Sequence, residues 1–250
     1  MKSFSVIIPV YNEEKLLSSQ IEKLLSGIKK LNLPVNFEIL LVENGSTDNT
    51  CRIAARLADK FKNIKKICLS RPSYGRAFKA GIETASYPYI FQFDIDFWDV
   101  SFIAKSQMLL EKYDFVIGSK NLNGSRDHRS ILRKLISRLL EKIIEIRFNS
   151  RLTDTHGLKA LKKSVISEII EEVKCSNHFF DSELLLKANS YGYSFAELPV
   201  SLKELRPSRF PFYLRFGQVI KEFILLMSIK LKRQSGTVPA MARLSPIENL

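Results

Sequence analysis

The sequence predicts an α/β fold, a mostly parallel sheet with helices on both faces. Three observations lead there. Short apolar, β-branched segments alternate with amphipathic ones from Ser5 to Gln92, the pattern of strands joined by helical crossovers. Each apolar segment ends in a polar cluster, and in such sheets the carboxyl ends of the strands share the rim where ligands bind. The fourth segment, Tyr89-Ile90-Phe91-Gln92-Phe93, stops at Asp94-Ile95-Asp96, two carboxylates two residues apart.

Ser5-Val6-Ile7-Ile8-Pro9-Val10 reads as a buried strand. Tyr11-Asn12-Glu13-Glu14 opens a helix, with Asn12 as its N-cap and acidic residues in its first turn. Leu16, Leu17, Ile21, Leu24, Leu25 and Ile28 follow at helical spacing, and Pro34 ends the unit. A second strand over Phe37 to Val42 runs into the turn Glu43-Asn44-Gly45-Ser46-Thr47-Asp48, ahead of a helix carrying Ile53, Ala54, Leu57 and Phe61. Ile64 to Leu69 is the third strand, Arg71 lies in the loop after it, and Arg76 to Ala85 is the third helix. Within a strand, residues i and i+2 point to one side. Asp94 and Asp96 can therefore reach one divalent cation, Mg²⁺ or Mn²⁺, which prefers oxygen ligands. Aspartates also end strands because they suit turns, but four polar ends on one rim favour a site.

A chain of 250 residues suits one large domain, or a domain with an appendage. Its net charge of +13 favours anionic partners: nucleotides, phosphates, nucleic acid or an anionic membrane. No strand-borne aromatic RNA motif is present, so nucleic acid is not expected as a partner. Cys51, Cys68 and Cys175 lack any Cys-x-x-Cys pattern and read as reduced core cysteines of a cytosolic protein, not as a zinc site or a disulfide framework. Val6-Ile7-Ile8 is too short for a signal peptide, and no apolar run approaches the ~20 residues of a membrane span. A cytoplasmic protein, peripheral on the inner face of a membrane, is the expectation.

Three segments in order, Ser5 to Glu14, Val42 to Asp48 and Asp94-Ile95-Asp96, resemble the signature of family 2 glycosyltransferases with the GT-A fold. The similarity covers most of the chain up to Leu205. Asp154-Thr155-His156-Gly157-Leu158-Lys159-Ala160 resembles that family's D-x-x-x-G-F-[RK]-A segment. Phe179-Phe180-Asp181-Ser182-Glu183-Leu184-Leu185, Gly192-Tyr193 and Glu197-Leu198-Pro199-Val200 are similar to the polyprenyl- and dolichyl-phosphate sugar synthases.

The resemblance implies a catalytic domain over residues 1–209, with a nucleotide-binding half at 1–99 and an acceptor half at 100–209. It implies inverting, metal-dependent transfer of a hexose from a nucleotide-sugar donor, of the GDP-mannose or UDP-glucose type, to a polyprenyl phosphate. Glu43 matches the first Asp of the family's D-D-G-S, with Asn44 in place of the second, and would accept the N–H of the base. Pro9, Tyr11 and Glu13 would line the base and ribose pocket. Asp96 would hold the cation, with Asp94 nearer the ribose or sharing the metal, and the cation would act as a Lewis acid on the departing diphosphate. Trp98 stands where the family has a Gln that can also ligate, so Asp99 or water would substitute. Arg71 would add charge to the phosphates. Arg206, in Arg206-Pro207-Ser208-Arg209, matches the family's R-x-x-[GS]-x-S stretch, which approaches the diphosphate and the acceptor phosphate. Asp154 would be a base for a hydroxyl acceptor, or an orienting group for a phosphate acceptor, which is already ionised. His156 beside it is either an alternative acid–base group or structural. Transfer to a glycan or protein hydroxyl, and non-catalytic nucleotide or nucleic-acid binding, are the competing readings.

Two segments carry surface character. Arg126 to Arg151 holds eight basic residues against three acidic ones, with Leu132, Leu135, Ile136, Leu139, Ile143 and Ile146 at helical spacing. That is a basic amphipathic helix, suited either to an anionic membrane or to docking on the sheet with a solvated basic face. Residues 210–233 are aromatic and apolar but interrupted by Arg215, Lys221 and Glu222, which suits an interfacial helix better than a span. Residues 234–250 lack periodicity and read as a mobile tail.

Overall fold

A computed structural model describes the chain except for residues 123–125, 128–130, 149, 151, 178, 203–215, 232–240 and 244–250. For 126–127, 131–138, 202, 216, 218–219, 241 and 243 only the backbone is described. The first half runs β1 (Phe4–Val10), α1 (Leu17–Lys30), β2 (Phe37–Asn44), α2 (Thr50–Lys60), β3 (Ile64–Leu69), α3 (Tyr74–Thr84) and β4 (Tyr89–Gln92). β1 pairs with β2 and β4, and β2 with β3, all parallel. The expected alternation of strand and helix is therefore the observed one.

The second half comprises α4 (Val100–Leu109), β5 (Phe115–Ser119), β6 (Arg126–Asp127), α5 (Ile131–Phe148), β7 (Leu158–Lys162) and α6 (Lys163–Ile169). A 3₁₀ turn (Ile170–Glu172), α7 (Phe180–Ser190), β8 (Phe195–Pro199), β9 (Ser201–Leu202), α8 (Phe216–Ser228) and β10 (Met241–Arg243) complete it. One eight-stranded sheet results, in the order β10-β8-β5-β7-β4-β1-β2-β3. β7 is its antiparallel member, set between β4 and β5. β6 and β9 pair apart from it.

Strand alternation divides the core between the two faces. Phe4, Val6 and Ile8 of β1 pack with Phe91 of β4 under α1, α2 and α4, whereas Ile7 points to α3, α6 and α7. Burial on both sides is why these strands read as continuous apolar runs. A smaller cluster joins Ile144 of α5, Leu186 of α7 and Leu226 of α8, so the two helices expected to be interfacial pack together on α7.

Four expectations are corrected. Helix α1 begins at Leu17 with Leu16 in the cap position, so Asn12 does not cap it; Asn12 sits in the left-handed region at φ 54°. The backbone leaves β4 after Gln92 and closes a four-residue turn, in which Asp94 and Phe97 exchange amide bonds of 3.2 and 3.1 Å. Asp94 and Asp96 are thus gathered by a turn and not by strand alternation. Only Cys175 is a core cysteine, since Cys51 is half-buried and Cys68 exposed. Within 234–250, Met241–Arg243 add a strand parallel to β8, too short to leave a periodic pattern.

Candidate active site

Loops after β1, β2 and β3 leave the carboxyl rim side by side and satisfy one another's amides. The Asn12 N–H donates to Ser46 Oγ (3.0 Å), and its Oδ1 accepts from the Thr47 N–H (2.8 Å). Glu13 N–H donates to Thr50 Oγ1 at 2.7 Å, and Glu14 Oε2 accepts from both nitrogens of Asn49 at 3.2 and 3.0 Å. Such reciprocity meets the requirement that loop amides outside the sheet find partners. Gly45 is held at φ +70°, and a Cβ there would lie 3.1 Å from the backbone of Arg71 and Pro72. Glycine therefore permits the second and third loops to touch.

On this rim Glu43 is 3% exposed, lies beside Val10 in register, and accepts from the Ser46 N–H at 2.5 Å. Asn44 Oδ1 accepts from the Ser73 N–H at 2.7 Å, while Ser73 caps α3. Pro9 and Tyr11 are half-buried, Glu13 is buried and Arg71 exposed. Pro9, Tyr11, Glu13, Glu43 and Arg71 therefore all stand at the carboxyl ends of β1, β2 and β3.

The acidic turn follows on the next strand. Burial pushes the Asp94 carboxyl up to about 7, and the negative charges of Asp96 and Asp181 add to the effect against the opposing pull of Lys159 and Lys120. The turn holds Asp94 and Asp96 close together, and paired carboxylates of this kind are a donor set for a divalent cation. Asp94 and Asp96 thus fit an oxygen-liganded Mg²⁺ or Mn²⁺. Trp98 packs against the core, and Asp99 Oδ1 accepts from the Ser101 N–H at 2.8 Å as the cap of α4.

Behind the turn lies a ring of four side chains that sequence reasoning missed. The Lys159 ammonium, fully buried, reaches Gln92 Oε1 (3.1 Å) and Asp181 Oδ2 (3.0 Å). The Tyr74 hydroxyl donates to Asp181 Oδ2 (3.1 Å) and accepts from Gln92 Nε2 (2.7 Å). Burial, then the Asp181 and Asp94 charges, push the Tyr74 phenol well above its ordinary value, so it stays a donor. One signal was available in the sequence: a lysine inside the apolar strand Leu158–Lys162 must find an anionic or carbonyl partner.

Asp154 is fully buried, with Lys120 Nζ at 3.1 and 2.8 Å and the His156 N–H at 2.9 Å. Burial pushes its carboxyl up, but Lys120 and the amide bond outweigh that and hold it below the usual range. So bound, Asp154 is held in its ionised form and is a poor proton acceptor. His156 is exposed, its Nδ1 3.1 Å from Thr155 Oγ1. A Cβ on Gly157 would come 1.9 Å from the Gly118 carbonyl oxygen, so only glycine lets this segment cross the end of β5. Arg206 and Arg209 lie outside the described residues.

Taken together, a mostly parallel sheet with β7 as its antiparallel member and an acidic turn at its carboxyl rim is the architecture of the GT-A fold class. Glucosyl-3-phosphoglycerate synthase from Mycobacterium tuberculosis, in complex with Mn²⁺, uridine diphosphate and phosphoglyceric acid, shares this fold. The TM-score is 0.66 at 19% identity, covering 94% of this chain and 80% of that one. The same enzyme with Mg²⁺ and uridine diphosphate aligns at a TM-score of 0.64 and 18% identity, covering 94% of this chain and 81% of that one.

Residues 5–170 match the family described as glycosyl transferase family 2, and the chain belongs to it. It is a glycosyltransferase. Among its relatives is dolichyl-phosphate beta-glucosyltransferase ALG5D of Trichomonas vaginalis, 27% identical over 90% of this chain and 72% of the relative. Glycosyltransferase AglD of Haloferax volcanii is 27% identical over 78% of this chain, which spans 32% of AglD.

Two outcomes follow from the charges. With a folded-state value near 7 against an ordinary 3.8, Asp94 ionises above pH 7 at a cost to stability that vanishes below about pH 4. In metal-free protein, Asp94→Asn should raise Tm at pH 8 by about 2 °C or more, the response to ~1 kcal/mol in a domain of this size, and leave it unchanged at pH 4. Thermal melts in chelator at the two pH values check this. Lys120→Ala leaves the Asp154 charge buried and unpaired, at a cost of about 3–5 kcal/mol. Urea unfolding should show that loss, and a loss below ~1 kcal/mol would remove Lys120 as the counter-charge.

Proposed function

We propose that the protein is an inverting, metal-dependent transferase moving a hexose from a nucleotide sugar, of the UDP-glucose or GDP-mannose type, to a polyprenyl phosphate. The observation that carries this reading is the Asp94–Phe97 turn, which gathers two carboxylates at the rim beside the loops of β1 and β2. A Mg²⁺ or Mn²⁺ ion held by Asp94 and Asp96 supplies Lewis-acid stabilisation of the departing diphosphate. Glu43 accepts the N–H of the base, Pro9, Tyr11 and Glu13 line its pocket and that of the ribose, and Arg71 and Arg206 add positive charge near the phosphates. The dolichyl-phosphate relative and the neighbours solved with Mn²⁺ or Mg²⁺ and uridine diphosphate support the donor and acceptor classes.

The acceptor choice draws on a second observation. Asp154 and Asp181, the carboxylates that the second half brings towards the rim, each carry a buried lysine as counter-ion. A hydroxyl acceptor requires a general base, which a carboxylate neutralised in this way serves poorly. A phosphate acceptor arrives ionised and requires only positioning and positive charge. Asp154 then works by holding Lys120 and the His156 loop in place.

The same reading puts the enzyme at the cytoplasmic face of an anionic membrane, with residues 1–209 as the catalytic domain and 210–233 as a membrane-proximal helix. No described helix is long and apolar enough to cross a membrane. Apolar side chains nevertheless stand out from α5 and α8: Leu139 is 63% exposed, Ile146 73% and Ile224 61%. Residues of this kind on the basic helix α5 and on α8 beside it suit a peripheral, charge-assisted contact.

Asp96→Ala should reduce transfer of labelled hexose into a lipid-extractable product by 10³-fold or more (about 4 kcal/mol of transition-state stabilisation), with an unchanged circular dichroism spectrum. An active Asp96→Ala enzyme in chelator would overturn the metal assignment. Ile146→Glu with Ile224→Glu should weaken flotation with anionic liposomes several-fold, and unchanged flotation would remove the membrane contact.

A further inference from the structure

We propose that Glu43, Cys51 and Cys68 form a second cation site, for a thiophilic divalent ion of the Zn²⁺ kind, distinct from the acidic turn. Their ligand atoms, one carboxylate oxygen and two sulfurs, all lie within 4.8 Å of one another. Topology explains the gathering. Glu43 and Cys68 are register partners on the adjacent parallel strands β2 and β3, so their side chains leave the same face of the sheet. Helix α2 covers that face, and Cys51 is in its first turn.

The spacing of the sulfurs speaks for an ion rather than a bond. Cys51 Sγ and Cys68 Sγ are 3.8 Å apart, whereas a disulfide requires ~2.05 Å. Two zinc–sulfur arms of ~2.3 Å at a tetrahedral angle place their sulfurs ~3.8 Å apart. Three protein ligands would leave the fourth position open to water. Access is also suitable, because Cys68 is exposed while Glu43 closes the buried end. The basic group facing the cluster is Lys66, also on β3, with Nζ 3.8 Å from Cys51 Sγ. It is half-exposed.

Ligand chemistry keeps the two sites apart. Thiolates select Zn²⁺ or Cd²⁺, and a pair of carboxylates selects Mg²⁺ or Mn²⁺. A regulatory consequence rests on the function proposed above: an ion bound to Glu43 takes the carboxylate that would accept the N–H of the base, so Zn²⁺ opposes donor binding.

Cobalt is the spectroscopic probe. Reduced full-length protein with excess Mg²⁺ should develop a thiolate-to-cobalt charge-transfer band saturating at one equivalent of Co²⁺. Zn²⁺ should bleach it, and Cys51→Ser or Cys68→Ser should abolish it without altering the circular dichroism spectrum. Absence of the band, or its survival in the double serine variant, overturns the site. So does recovery of the pair as a disulfide from protein purified without reductant, if reduction then yields no band. Calorimetry with uridine and guanosine diphosphates separates the site from the donor reading. Weakening by Zn²⁺ of about tenfold, in the wild type and not in the serine variants, supports both. A cobalt band with nucleotide affinity indifferent to Zn²⁺ supports the cation site and removes Glu43 from the base pocket.

Discussion

Negative charge concentrated at the carboxyl rim, answered by lysines buried behind it, is the constraint around which the second half of the molecule is arranged. Burial pushes the Asp94 carboxyl upward, and the nearby charges of Asp96 and Asp181 push it further. Lys159 has no exposed surface, yet its ammonium ties β7 to β4 and α7 through Gln92 and Asp181. Lys120 does the same for Asp154 and the loop ahead of β7. Burial of an unpaired charge costs several kcal/mol, so these pairs dictate where β7 and α7 can sit. The antiparallel strand β7, inserted between β4 and β5, is what carries Lys159 to the acidic turn.

A division of labour follows between the halves. Loops after β1 and β2 are fastened to each other by side-chain-to-amide bonds through Asn12, Glu14 and Thr50, which makes the rim that the proposal assigns to the nucleotide a preformed surface. The carboxylates of the second half, Asp154 and Asp181, are paired with buried lysines, and on the function proposed above that balance would suit an anionic acceptor. Between them, Asp94 and Asp96 remain as the half-exposed acidic pair at the end of β4. On the proposed function, a cation there would offset the repulsion between the two carboxylates.

Much of the first half was legible in the sequence, because repeated parallel βα units leave a local record. Each strand is apolar on both faces, each helix shows its stripe, and each polar cluster marks a strand end. The acidic pair was legible too, though by way of a turn and not a strand. What could not be read comes from contacts between residues remote in sequence. Lys120 with Asp154, Lys159 with Asp181, and Cys51 with Cys68 have no local spacing to announce them, so the cysteines looked like core residues and the counter-ion of Asp154 went unseen. Asn12 occupied a cap-like position, but its left-handed backbone turns it to the neighbouring loop instead. Strand β10 is three residues long and takes its structure from the edge of β8.

The central claim is that the turn at the end of β4 holds a divalent cation together with the diphosphate of a nucleotide. Electron paramagnetic resonance of Mn²⁺ titrated into the wild-type protein, with and without a nucleoside diphosphate, tests it most directly. One bound ion per chain, held at least tenfold more tightly when the nucleotide is present, is the predicted result. Free-ion spectra throughout the titration, with nucleotide and without, would contradict the account.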